Sequence, residues 1–437
     1  MASNEWPDLW CTGFFASYPG GVEGAMEDGV LLNINELTEQ CAPDFLNLVN
    51  EYGVMRDFIS DSGVIVNMGQ VMNCDYVYDK AFLGFIVRKD VLDELGMELP
   101  VTYDDWDAML SAMQEAGFST PLAIPFADGN FTTYSNLAAG YGVRHGDFFL
   151  QDGRVVYSPV QDGYREYLGM LKDWYEKGYF NADSFAYNLS NTKEAMQEGK
   201  VAVAYSHAAH TTTVQSIGVA IDEDFAVAGL VQPRKNADDV LNLVYRNVRT
   251  SNGAAWYVSA DTKYPEECVK FLNYLYKPET QRLAVWGVGT EACPTFEETE
   301  NGRVFTEWMK ANPEGLDFQI MKDRYILAPF QTIYDEKTEQ AQYNYPEKLQ
   351  AIENFCWNAN ADAMYPEKST MTVEESSEYA QIMNQIKTYS DEMMQKFITG
   401  LASLDDDWDT YVQQIEALNI NRACQIKQDA MERYYAR

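Results

Sequence analysis

Between Gly84 and Gly117 the chain reads GFIVRKDVLDELGMELPVTYDDWDAMLSAMQEAG, and no other stretch limits its choice of fold so strongly. Phe85, Ile86 and Val87 read as a strand, and Asp90 to Leu95 as a short amphipathic turn of helix. A glycine-containing break follows, and Pro100-Val101-Thr102 launches a second helix. Thr102 with Asp105 three residues on is an acidic form of the capping box, in which each residue satisfies a free N–H of the other. Trp106, Met109, Leu110 and Met113 recur at helical spacing, so one face of this helix is apolar. A strand feeding two helices in this order is a unit of an α/β protein.

At 437 residues the chain exceeds one ordinary core, so two lobes are expected. An apolar fraction of 46% supports packed cores and excludes wholesale disorder. Lys and Arg number 32 against 67 Asp and Glu, a formal charge of −35. A phosphate-backbone partner needs a basic footprint, so nucleic acid is excluded as a partner. So acidic a surface suits a soluble, monomeric protein outside the cell. The seven cysteines (11, 41, 74, 268, 293, 356 and 424) are scattered without a CxxC, which points to reduced thiols rather than a zinc knuckle or a disulfide framework. The opening MASNEWPDLW has neither the charged nor the apolar segment of a signal peptide, and no apolar run approaches a membrane span.

Other elements can be read in order. Trp6 to Cys11 is a brief strand, Tyr18-Pro19-Gly20-Gly21 a turn, and Val22 to Glu27 a helix. Asp152-Gly153 is a hairpin turn flanked by Phe149, Leu150, Val155, Val156 and Tyr157. Tyr164, Tyr167, Leu168, Leu171, Trp174 and Tyr175 line one face of a helix over 163–180. Val201 to Tyr205, Phe225 to Val231 and Ala254 to Ser259 read as strands. Helices follow over 265–276, with Pro265 at a first helical position, and over 279–286. The last third is helical: Thr372 and Glu375 form a capping box before Tyr379, Ile386 and Phe397, and Gly400 ends that helix. Trp408, Tyr411, Val412, Ile415 and Leu418 form a last stripe.

Two metal motifs are considered and set aside. His207 and His210 are three residues apart, but no HExxH or clustered cysteine accompanies them. Asp405, Asp407, Asp409 and Glu416 mimic a calcium loop, yet its sixth position is Thr410 where a glycine is required. These carboxylates are expected instead to cap the helix that begins near Trp408. No GxSxG, P-loop or GxGxxG occurs. No catalytic residue, metal or cofactor is therefore assigned.

The order of motifs resembles that of bacterial extracellular solute-binding proteins of the carbohydrate-uptake type. Strand, RKDxLDxLG, Pro-x-Thr and amphipathic helix match the segment by which that family enters its second lobe. Pro7-Asp8-Leu9 with the downstream DGVLLNINEL, the string EAMQEGKVAVAYS, and AAWYVSA followed by PEECVKFLNYLYKPETQ are also similar to the family. The ending, KFITGLASLDDDWDTYVQQIEALNINRACQIKQDAMERYYAR, resembles the long solute-binding lipoproteins of Gram-positive bacteria. A strand, a helix and another strand precede the Pro-Asp in that family and are missing here, as are the signal segment and lipid-anchoring cysteine.

The resemblance implies a two-lobed α/β fold of the periplasmic-binding-protein type (type II), with hinge strands and a helical C-terminal third. It places residues 1–83 and 258–325 in lobe 1, and 84–257 and 326–437 in lobe 2, with hinges near Gly84 to Val87 and Ala254 to Ser259. It further implies capture of a carbohydrate, expected to be an oligosaccharide, and its delivery to the permease subunits of an ABC transporter at the cell surface. A glycoside-active enzyme or a surface scaffold or adhesion protein are the alternatives. Sugars offer an apolar face that suits flat aromatic rings and a hydroxyl rim that suits polar groups. Aromatics on strand ends and glycine-rich loops are the expected ligand contacts: Trp10, Tyr18, Tyr76, Tyr78, Phe131, Tyr205, Trp256 and Trp286. Thr12, Asn130 and His207 are the expected polar partners, His207 because it leaves the carboxyl end of a strand.

Overall fold

The computed structural model of the chain describes residues 6–72, 82–129, 131, 137–220, 222–244, 250–300, 302–310, 318–327, 330, 332–334 and 346–437. Two four-stranded sheets organise it. β1 (Leu9–Cys11) leads to helix α1 (Gly21–Glu27), and β2 (Met68–Met72) completes the first pass through one sheet. β3 (Leu83–Arg88), helix α2 (Tyr103–Glu115) and β4 (Leu122–Ala123) begin the other. β5 (Phe148–Gln151) and β6 (Arg154–Tyr157) form a hairpin before helix α3 (Asp162–Glu176). β7 (Val203–His207), helix α4 (Ala208–Val219) and β8 (Val227–Gly229) complete the second sheet. β9 (Thr250–Val258) returns to the first sheet. β10 (Phe296–Thr299) and β11 (Gly302–Phe305) pair with each other, and β12 (Ile333–Tyr334) rejoins the first sheet. Helices α5 (Pro346–Cys356), α6 (Val373–Ile398), α7 (Trp408–Ala417) and α8 (Ile420–Ala436) follow.

The first sheet has the order β1-β9-β2-β12, with β9 antiparallel to β1 and β2, and β12 parallel to β2. The second has the order β4-β7-β3-β8, with β3 antiparallel to both neighbours and β4 parallel to β7. Each sheet closes its own core. Phe85, Trp106, Trp174 and Tyr205 lie in the second, where the Trp106 and Trp174 rings stack at 6.1 Å. Phe45, Phe58, Val71, Trp256 and Leu272 cover one face of the first sheet, and Phe15, Leu31, Ala255 and Tyr257 the other. A small third cluster gathers Trp286, Phe305, Met309 and Met321.

Local signals in the sequence are realised as local structure. Thr102 accepts from Asp105 N, and Thr372 from Glu375 N, each within a full capping box. Asp152 and Gly153 both have positive φ, as a two-residue hairpin turn requires. Pro265 is the first residue of its helix. The Asp405–Asp407 stretch differs from expectation. Asp407 sits at the N-cap of α7, but its carboxylate accepts from Ser403 N at 2.8 Å rather than from the first turn, and Asp405 pairs with Arg165.

The chain changes sheets three times, and this differs from the expected hinges. Gly84 to Val87 is laddered to β7 throughout, and its last two residues also to β8. β9 pairs with β1 and β2. The chain crosses instead between β2 and β3, between Val244 and β9, and between β12 and α5, within 73–81, 245–249 and 335–345. The expected boundary at 257/258 therefore falls inside β9, and the one at 325/326 precedes β12, which still pairs with β2. After the third crossing α5 lies directly on the second sheet. A Cβ on Gly84 would stand 2.3 Å from the Phe355 ring, and one on Gly229 2.3 Å from Ala351 Cα. Only glycine permits that approach.

Two predictions follow from this packing. Gly84→Ala has to displace a fully buried ring and is expected to lower the unfolding free energy by about 1–3 kcal/mol in urea denaturation; Gly229→Ala, against backbone, loses at least as much. His145 is buried among Phe126, Phe131 and Tyr167, its Nδ1 2.9 Å from the Tyr167 hydroxyl. Burial, then the charge of Lys387, lowers its pKa to about 3. A depressed folded pKa stabilises fully above the unfolded value near 6.5, and that contribution is lost as pH falls from there toward about 3. From pH 7 to pH 5 the unfolding free energy should therefore drop by about 2 kcal/mol on account of this ring, a slope that His145→Gln removes.

Candidate functional site

β1, β2 and β12 run in one direction, so their carboxyl ends share one edge of the first sheet, the edge from which the chain crosses over. In the second sheet β7 ends, and β3 begins, at the corresponding crossing edge. Open α/β sheets bind ligands outside the carboxyl ends of their strands. At this edge of the first sheet stand Thr12 and a half-exposed Phe14. Thr12 N donates to Ala255 O at 3.1 Å, and its Oγ1 accepts from Phe14 N at 3.0 Å, fixing the turn after β1. On the second sheet His207 packs its ring 5.0 Å from Phe82 and 5.6 Å from His210. Burial, then His210 and Lys348, lowers the His207 pKa to about 3, so the ring is neutral at pH 7 and packs on Phe82 as an uncharged group. Among the described residues no group of three His, Cys, Asp or Glu could hold a metal.

The remaining expected contacts are placed variously. Tyr76, Tyr78 and Asn130 lie outside the described residues. Phe131 and Tyr205 are fully enclosed, their rings 5.0 Å apart beside Phe85, and present no face to a ligand in this arrangement. Trp286 is packed against Phe305 in the small third cluster. Trp256 is 9% exposed and stacks on Phe330 within the first core. Trp10 donates its Nε1 to Ser259 Oγ at 2.7 Å and packs edge-on to Phe15. Tyr18 donates to Asp28 at 2.9 Å, and that carboxylate holds the phenol pKa above its ordinary value.

A second feature lies where the two halves meet. A cavity of about 340 Å³ has one wall from the first half, built by Gly20 to Glu23, Ser60, Asn67 and Tyr257. Its other wall comes from 367–371 together with Ser376 and Tyr379 of α6. The volume falls at the lower end of the range of small-molecule sites. Gly20 has a φ of 75° that other residues rarely adopt, and a Cβ there would meet Val373 at 3.2 Å, so this glycine lets α1 approach α6. Tyr257 bonds with Asn67, and burial pushes its pKa up to about 12. Behind Tyr379 the Lys427 ammonium lies 3.8 Å from the Tyr365 ring centre, 5.1 Å from Phe148 and 5.7 Å from Tyr379. That buried cation holds the aromatic wall in place.

None of the eight expected residues that are described lines this cavity. The nearest miss is one position: Trp256 and Tyr257 are neighbours on β9, and successive side chains of a strand face opposite ways. Trp256, registered with Met68 and Cys11, enters the first core, while Tyr257, registered with Trp10, faces the cavity. Strand alternation in AAWYVSA sends the two rings into cores on opposite faces of the sheet, and Tyr257, 4% exposed, also borders the cavity. Alternation alone does not say which of the two borders it.

Comparison with known proteins identifies the architecture. The family model for bacterial extracellular solute-binding proteins matches residues 38–282, more than half of the chain. The fructooligosaccharide ABC transporter substrate-binding protein FusA of Streptococcus pneumoniae serotype 4 (strain ATCC BAA-334 / TIGR4) is 20% identical over 367 residues. The match covers 80% of this chain and 65% of that relative, so the chain spans just under two thirds of its length. Among solved structures, S. pneumoniae FusA in complex with kestose is similar with a TM-score of 0.77 and 17% identity, over 100% of this chain and 89% of that one. The alginate-binding protein AlgQ2, crystallised without calcium ion, gives 0.76 and 20% identity over 99% and 87%. An extracellular solute-binding protein from Bifidobacterium longum subsp. infantis gives 0.75 and 16% identity over 99% and 88%. At these identities the likeness shows the fold, which is two-lobed and of the periplasmic-binding-protein type with a helical C-terminal part. Together with the family match, this makes the chain a member of the bacterial extracellular solute-binding protein family.

Proposed function

We propose that this protein captures a carbohydrate, an oligosaccharide, between its lobes and delivers it unaltered to an ABC-type permease outside the cell. The observation that carries the reading is the cavity walled from both lobes, with the aromatic rings Tyr257 and Tyr379 among the short polar side chains Ser60, Asn67, Thr370 and Ser376. Rings suit the C–H face of a sugar, and hydroxyls and amides its rim. FusA, by name, binds fructooligosaccharides, which supports the same ligand class here. On this reading Thr12, Phe14 and His207 extend the contact surface along the strand ends. Lobe 1 then comprises 6–72 and 250–334, and lobe 2 comprises 82–244 and 346–437. The protein acts as a monomer.

Binding is favoured over hydrolysis because two carboxylates of the wall, Glu23 and Asp57, are held by structural partners. Glu23 accepts from Ser62 Oγ at 2.5 Å, and Asp57 from the Tyr434 hydroxyl at 2.6 Å. A general acid–base pair needs carboxylates free to take and give a proton on the glycosidic oxygen or on water.

A thermal-shift screen of mono- and oligosaccharides, followed by calorimetric titration, tests the proposal. A specific sugar at a hundredfold its Kd should stabilise by about 2.7 kcal/mol, and no chromogenic glycoside should be turned over. Saturating sugars of every class without a shift, or steady turnover, would overturn it. Two neighbouring substitutions separate wall from core. Tyr257→Phe is expected to leave ligand-free stability within about 1 kcal/mol and to weaken sugar binding three- to tenfold, on the order of one hydrogen bond. Trp256→Ala is expected to lower ligand-free stability by about 3–5 kcal/mol, as removal of a core ring does.

A further inference from the structure

Sugars differ most sharply in charge. A neutral ring presents hydroxyls alone, whereas a uronic acid or a sulfated sugar adds an anion that must be paired or hydrogen-bonded once it leaves water. Proteins receive such an anion with an ammonium, with the fork of a guanidinium, or at the N-terminus of a helix. All three stand at this cavity, and the protein's own groups engage each of them. Among the described lining residues Lys368 carries the one ammonium, against the carboxylates of Glu23, Asp57 and Glu367, and Lys368 has a partner of its own. Arg437, at the end of α8, commits all five of its N–H donors within the protein. Its Nε donates to Asp61 at 2.9 Å, one terminal nitrogen to Ile59 O at 2.5 Å and Arg56 O at 3.3 Å, and the other to Asp61 and the Thr370 hydroxyl. Arg433 donates to Asp61 from Nε, to Glu375 at 3.1 and 2.5 Å, and to Thr370 O at 3.4 Å. The start of α6 adjoins the cavity, with Thr370, Met371 and Ser376 on the wall. There Thr372 N donates to the Glu375 carboxylate at 3.0 Å and Glu375 N to the Thr372 hydroxyl at 3.2 Å, so the first turn already holds a carboxylate.

We propose that this cavity discriminates by charge, admitting neutral oligosaccharides and rejecting those that carry carboxylate or sulfate groups. The inference rests on the reading that the cavity is the sugar site, and it narrows that reading to one class of ligand. The hydroxyls of a neutral sugar meet both needs of the wall. They donate to Glu23, Asp57 and Glu367, whose carboxylate oxygens each accept more than one hydrogen bond, and they accept from the hydroxyls of Thr370 and Ser376. A carboxylate on the sugar donates nothing, and it faces three charges of its own sign. At ~7 Å, with an effective dielectric constant between those of a protein surface and water, each such charge weakens an anion about three- to tenfold. The surplus of 67 acidic over 32 basic residues acts in the same sense at longer range, because it slows the approach of any anion.

The test titrates the full chain calorimetrically with neutral oligosaccharides and with the same oligosaccharides oxidised at C6 to uronic acids, in low and in high salt. In low salt the oxidised form should bind at least about tenfold more weakly than its neutral parent, the effect of more than one like charge. Raising NaCl from about 50 to about 500 mM shortens the Debye length from about 14 to about 4 Å, so the ratio of the two Kd values should narrow about threefold or more. Glu23→Gln, which keeps an acceptor for the Ser62 hydroxyl, and Glu367→Gln should each narrow the low-salt ratio about threefold. An oxidised sugar that binds as tightly as its parent overturns the proposal. So does a ratio that neither salt nor either variant changes, which marks a fit of shape rather than of charge; the salt series needs no variant and decides this even where a variant fails to fold. Binding by oxidised sugars alone overturns the inference and leaves the proposed function standing, whereas binding by no sugar of either kind overturns both.

Discussion

Each sheet is sealed by its own side chains, and everything else in the structure depends on that independence. Phe85, Trp106 and Tyr205 never reach the first sheet, and Phe45, Val71 and Trp256 never reach the second. Among the described residues neither core borrows a residue from the other, so the lobes are not fused through a shared core. They meet through the approach of α1 to α6 and through polar and charged contacts such as those of Arg433 and Arg437 with Asp61. A protein that binds and releases a solute needs a boundary of that kind.

The third crossing shows how tightly the second lobe is nonetheless pinned. After β12 the chain returns as α5, whose Phe355 and Ala351 press on Gly84 and Gly229 of adjacent strands. Gln350 and Asn354 then bond with the backbone of Gly229, at 2.8 Å to its N–H and at 3.1 and 2.7 Å to its carbonyl. The helix is therefore fixed both by shape and by hydrogen bonds at the point where it arrives.

How much of this could be read from the sequence follows from how local each cause is. The capping boxes at Thr102 and Thr372, the Asp152-Gly153 turn and the apolar stripe of α2 each depend on residues within a turn or two of one another, and each was legible. The lobe boundaries were less so. β12 is two residues long and carries no pattern of its own, so the third crossing was invisible and the boundary was drawn before it. Trp256 and Tyr257 illustrate the limit at the site: alternation separates them, but which face meets the other lobe depends on α1 and α6, from distant parts of the chain. Tyr379 falls at helical spacing with Ile386 and Phe397, and that spacing does not show that its ring, packed against its own lobe, also borders the cavity. The order of family motifs recovered the architecture that these local signals could not assemble.

The balance of charge gives the arginines at the boundary their significance. With 67 acidic residues against 32 basic ones, the like charges of two acidic lobes repel, and bringing them together works against that field. Arginine suits the task of offsetting it. Its planar fork can satisfy a carboxylate and several carbonyls at once, as Arg437 does with Asp61, Ile59, Arg56 and Thr370, and it stays charged at any physiological pH. A lysine ammonium would neutralise the same carboxylate but could not span both lobes with one rigid group. The guanidinium contacts across the boundary work against that repulsion, and a ligand shifts the balance only by its difference in affinity for the states it joins.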